Sequence, residues 1–129
     1  MAKSLISLMM WTSGKKLFSE RKAETFFNLL EGDILYAQQY ALLNRESVRI
    51  IFDNDHHRYY SKGHYFEGKI FERMVSDDIF FEGTSIGYRI KFTTAGSLSQ
   101  SGTLGINING EKYKVVFYLG SGRFKWSKL

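Results

Sequence analysis

The chain contains no cysteine and no proline. Without cysteine there can be no disulfide, no thiol nucleophile and no thiolate-ligated zinc. Without proline, turns and strand ends fall to Gly, Asn, Asp and Ser, and twelve glycines are present to serve them. Acidic residues are scarce in one region: from Ile86 to Leu129, seven Lys or Arg stand against Glu111 alone, so the last third carries the whole positive excess behind the net charge of +5. Charge gathered in this way points to an anionic partner more directly than the overall pI does. A long hydrophobic run is also missing. The apolar stretch within Met1–Trp11 begins at Leu5 and is broken by Ser7, whereas a membrane-spanning helix needs about 20 apolar residues and a signal peptide needs a small-residue cleavage site. Two readings of this stretch stay open: a leader or frayed terminus, or the remaining end of a longer hydrophobic anchor with Lys15, Lys16, Arg21 and Lys22 as its basic flank.

At 129 residues, 43% hydrophobic and 16% aromatic, the chain is expected to form one domain with a core that needs no covalent staples. The stretch Phe26–Asn44 organises it. Phe27, Leu30, Ile34, Ala37 and Ala41 recur at the three-and-four spacing of one helix face, while Glu31, Gln38 and Gln39 fall elsewhere. The helical pattern extends back to about Lys15 and tolerates Gly32. A helix over 15–44 would be about 45 Å long, more than a domain of this size needs for its own core. Its first half is expected to project from the sheet or meet a partner.

After Ser47 the period changes to two. Val48, Ile50 and Phe52 open a strand, Asp53–His56 turns, and His57–Ser61 returns; Lys69–Val75 and Ile79–Glu82 follow. Ile86, Tyr88, Ile90 and Phe92 alternate cleanly, as do Leu104, Ile106 and Ile108. Asn109-Gly110 then joins that run to Tyr113, Val115, Phe117 and Leu119, a strong hairpin signal. Gly120-Ser121-Gly122 makes a last tight connection to Phe124 and Trp126. The fold class is therefore α+β: a long N-terminal helix packed on an antiparallel β-sheet, with residues 1–14 as leader or anchor remnant and 15–129 as one domain, its sheet spanning about 47–128.

No enzyme signature assembles. Gly83-Thr84-Ser85-Ile86-Gly87 has the G-x-S-x-G form of a nucleophile elbow, but a strand follows it and neither Asp nor His comes later in the chain. His56 and His57 point to opposite sides of a strand and His64 stands apart, so the three make no metal set. Asp53 and Asp55 suggest a calcium loop, yet Arg58 and His64 occupy the positions where Gly and Glu belong. Asp77 and Asp78 read as a solvated turn, and Gly120–Arg123 has no following helix to make a phosphate loop. The sequence calls for no cofactor, metal or small-molecule substrate. The one promising constellation is basic. Arg89, Lys91, Lys112, Lys114, Arg123 and Lys125 fall on the outward parity of the last four strands, with Tyr118 in the same parity as a stacking face, and together they could follow a polyanion such as DNA. A solvated sheet face is the alternative.

The helix FFNLLEGDILYAQQYALLN and the run IKFTTAGSLSQSGTLGININGEKYKVVFYLGSGRF carry a resemblance over about Phe26–Phe124. Leu30, Asp33, Tyr36, Ala37, Gln38, Gln39, Tyr40 and Ala41 on the helix, Phe92 and Gly96, Gly102–Leu104 and Leu119–Phe124 are its motifs. The chain resembles the pseudopilins of the type IV pilus superfamily, nearest to the ComGD family of competence minor pseudopilins of Firmicutes and more distantly the GspH/FimT group. That resemblance implies a helix whose first half is membrane anchor and fibre core, with Leu17, Phe18, Arg21 and Phe26 as contacts to other pilins. It implies a place at the cell membrane and cell surface, as a structural subunit of a DNA-uptake pseudopilus with other competence pseudopilins as partners. A type II secretion pseudopilin, or a nucleic-acid-binding module, is the alternative. The Gly-[Phe/Tyr]-x-x-x-Glu processing site and apolar anchor of such proteins do not occur in this sequence, so the chain is expected to be the soluble part of an anchored protein.

Overall fold

The computed structural model describes residues 2–119 and 123–129, with side chains from Phe18 onward; the expectations placed on the apolar run before Trp11, on the Leu17 side chain and on Gly120-Ser121-Gly122 lie outside the described residues. Helix α1 runs Ala2–Asn44, 43 residues. Eight strands follow: β1 Val48–Asp53, β2 Arg58–Gly63, β3 Phe71–Met74, β4 Ile79–Gly83, β5 Arg89–Phe92, β6 Gly102–Ile108, β7 Glu111–Phe117 and β8 Phe124–Lys128. The helix ends in a Schellman arrangement: Glu46 N–H donates to Ala41 O at 3.1 Å, and Arg45 takes the left-handed position at φ 51°. A side chain bearing a Cβ is strained there, whereas glycine is not. Arg45→Gly is therefore expected to stabilise the domain by about 1 kcal/mol, seen as a higher urea midpoint with unchanged slope.

The strands form two four-stranded antiparallel sheets, ordered β3-β2-β1-β5 and β4-β6-β7-β8, where the sequence suggests one. The chain moves between them because β4 pairs with β6 while β5, which lies between the two in sequence, pairs with β1. β5 is also shorter than its alternation suggests: Thr84 and Gly87 form a small bridged turn, with Gly87 at φ 65°. Asn109 at φ 53° and Gly110 at φ 83° make the expected type I′ hairpin between β6 and β7.

Both sheets turn their apolar faces to the helix. Ala23, Phe27, Leu30, Ile34, Ala37 and Ala41 are buried along it, against Val48, Ile50, Phe92, Leu104, Ile106, Val115 and Phe117. Trp126 of β8 stacks on Phe27, with ring centres 4.5 Å apart. Polar bridges fix the helix laterally, and one of them is Asn109 Nδ2 donating to Ser19 Oγ at 3.2 Å. Lys22 Nζ donates to Asp78 at 2.6 Å, and this ammonium and the Ser76 hydroxyl hold the Asp78 carboxyl below its usual range. Asp33 accepts a bidentate pair from Arg73 Nε and an NH2 nitrogen at 2.8 and 2.9 Å, and a hydrogen bond from the buried Tyr59 hydroxyl at 2.5 Å. Gln38 Nε2 donates to Gly96 O at 2.7 Å. The two sheets are joined as well. Asn54, in the β1–β2 turn, donates to Phe81 O and accepts from Phe81 N, both at 2.8 Å.

Candidate interaction surfaces

The six cations expected on one sheet face are divided by the two-sheet topology. Lys112 and Lys114 on β7 face outward, opposite Asn107 and Gly105 of β6, and Lys125 on β8 faces outward opposite Val116. Glu82 of β4 lies across Gly105, the residue next to Lys114: a Cβ on that glycine would meet Glu82 Cβ at 3.1 Å. This face is therefore mixed in sign. Arg89 and Lys91 belong to the other sheet, opposite Ile51 and Arg49 of β1. The expectation of one continuous stripe is corrected, because β5 joins β1 and leaves the strands that follow it. Tyr118 lies just beyond β7, where its N–H donates to Arg123 O at 3.1 Å. Tyr118, Arg123 and Lys125 border an open groove facing Glu31, Leu35 and Gln38 of the helix. Tyr118 thus reaches the groove on the helix side, as Lys125 does.

The residues expected to meet other pilins also separate. Phe26 is 6% exposed and packs edge-on to Phe27 and Tyr59, so it is core; this corrects its assignment as a contact. It is buried because the helix lies against two sheets, and a wider arc of its surface is covered than one stripe predicts. Phe18 is 62% exposed and Arg21 is exposed. Both line a groove of about 520 Å³ between the helix and the β3–β4 connection, with Leu29, Met74, Val75 and Ile79. Leu29 and Met74 are exposed too, so with Phe18 they form an apolar strip that sequence reasoning missed. The helical spacing of Phe18, Phe26 and Leu29 was visible, but Met74 reaches the strip through the fold.

The residues weighed for chemistry have structural tasks. Ser85 Oγ accepts from Thr103 N at 2.9 Å within the Thr84–Gly87 turn. Asp53 accepts from Arg58 Nε at 3.0 Å and contacts His56 Nδ1 at 2.8 Å, closing the β1–β2 turn. Although partial burial opposes it, these contacts hold the Asp53 carboxyl below its ordinary value. Among the described residues no three His, Asp or Glu side chains gather to hold a metal ion, and no helix is long and apolar enough to cross a membrane.

No protein-family model matches the chain, and comparison with curated proteins finds no match. Solved structures do match. The chain is similar to the type IV minor pilin FimU of Pseudomonas aeruginosa at 17% identity and TM-score 0.64, over 85% of this chain and 92% of that one. It is also similar to EpsH, the minor pseudopilin of the Type 2 Secretion System of Vibrio cholerae, at 14% identity and TM-score 0.53, over 85% of this chain and 96% of that one. A long helix laid against antiparallel sheets, matched at this coverage, gives the chain the type IV pilin-like fold.

Proposed function

We propose that this chain is a structural minor pseudopilin of a competence, type IV pilus-like DNA-uptake apparatus, anchored at the cell membrane and assembling with other pseudopilins. The observation that carries the reading is the apolar strip of Phe18, Leu29 and Met74 beside the long helix, left uncovered by the chain's own sheets. Large exposed apolar patches mark interaction sites. The fold it shares with a minor pilin and a minor pseudopilin supports the same reading. Its work is packing, not catalysis.

The test mixes the membrane-anchored form with the other pseudopilins of the same apparatus at micromolar concentration and measures association by sedimentation. Phe18→Asp is expected to weaken that association by about tenfold or more, a loss of about 1.4 kcal/mol. Absence of any association would overturn the reading. The competence role and the secretion role divide on a deletion strain. Loss of transformation with intact protein secretion supports the first, and the reverse result supports the second.

A further inference from the structure

We propose that the outer face of the β3-β2-β1-β5 sheet carries a binding site for the phosphodiester backbone of DNA, centred on the cross-strand row Lys91–Arg49–Lys62 with Arg89 beside it. Register places the three side by side: Arg49 is the direct partner of Lys91 on β5 and of Lys62 on β2. Lys62, Lys91 and Arg89 are exposed and Arg49 is half-buried, all on the side away from the helix. Among the described residues none of the four forms an ion pair. The acids of this face are used at its other end, where Arg58 bridges Asp53 and Glu72, each at 3.0 Å, and Lys69 holds Glu72 at 2.6 Å.

Like charges directly opposite one another weaken a sheet. A face shaped only for solvation mixes its signs, as the Asp53–Arg58–Glu72 end does. Three cations in register, at the end where no acid is paired to them, are instead matched to a line of negative charge. Neighbouring strands lie about 4.8 Å apart and residues two apart along a strand about 6.7 Å apart, so the four head groups cover a patch about 10 by 7 Å. One strand of duplex DNA presents a phosphate about every 3.4 Å of axis, so this patch can neutralise about three. Bases are not the target on this patch. Tyr60, the aromatic ring on this face, already has Arg58 over it at 4.5 Å, with Lys69 and Lys62 at 5.7 and 5.9 Å, and is not open for stacking. Recognition of this kind reads the backbone and is indifferent to sequence.

The site stands on this row alone, independent of assembly with pilins. It is tested by titrating a short fluorescent duplex with the full chain. With about three phosphates neutralised, the salt slope is about −2.7 and affinity falls about 40-fold between about 50 and about 200 mM salt. Lys62→Glu/Lys91→Glu is expected to lose more than tenfold of the low-salt affinity, while Lys112→Glu/Lys114→Glu, on the other sheet, changes it less than threefold, by about the size of a remote field effect. Circular dichroism confirms that both variants fold. Anionic phospholipid vesicles form the second arm. Binding to vesicles without binding to duplex overturns the proposal, as does duplex binding that survives the Lys62→Glu/Lys91→Glu change.

Discussion

Phe81→Ala is expected to lower the stability of the folded domain by about 4 kcal/mol. Phe81 is 2% exposed and stands where three elements meet. It comes from β4 of one sheet, lies 5.0 Å between ring centres from Phe52 of the other, and 6.3 Å from Phe26 of the helix. Truncation removes the transfer free energy of a ring and leaves a space whose walls belong to three elements already fixed by their own hydrogen bonds, so collapse is limited. Urea unfolding measures the loss. Phe80→Ala is the control: its neighbour in sequence points outward, 46% exposed, and should cost under about 1 kcal/mol. Equal losses at the two positions would mean that the helix is not seated against both sheets.

Asp33→Ala is expected to cost about 3 kcal/mol, because it removes the acceptor of a buried hydroxyl and one partner of an ion pair. The Tyr59 hydroxyl is buried and would lose its acceptor, whereas Arg73, 41% exposed, can turn to water, which keeps the cost below that of a fully buried pair. Burial first, then the hydrogen bond to the Asp33 carboxylate, pushes the Tyr59 phenol well above its ordinary value. The folded state thus keeps a proton that the unfolded chain releases near pH 10. Stability from this source is complete below about pH 10 and is lost as pH rises further. Tyr59→Phe should flatten that alkaline limb, which urea midpoints measured across the limb would report. An alkaline limb of unchanged slope would show that Tyr59 is not the group responsible.

Much of this was legible from residue order. Period two located the strands and most of their inward side chains, although β5 starts only at Arg89 and Tyr88 and Leu119 are exposed, and the spacing Phe27–Leu30–Ile34–Ala37–Ala41 placed the helix's buried stripe. What alternation cannot report is which strand lies beside which. Ile86–Phe92 alternates as regularly as Leu104–Ile108, yet their neighbours are β1 in one case and β4 and β7 in the other. That single ambiguity turned two sheets into one, and with them a divided set of cations into one stripe. Arg49 was readable as an outward residue of β1, but its place between Lys91 and Lys62 depends on pairings across more than forty residues in one direction and about thirteen in the other. Asp33 stood in the helix motif without a task, since its partners Tyr59 and Arg73 arrive from separate strands.

The bridges from Lys22, Asp33 and Gln38 leave the helix at three stations, about 17 Å and about 8 Å apart along its axis at 1.5 Å per residue. A pull along that axis does not peel them open in turn. It loads all three together, in shear, along with the apolar side chains between them, so the helix behaves as a spar bolted to its sheets and axial tension on it is shared across the domain.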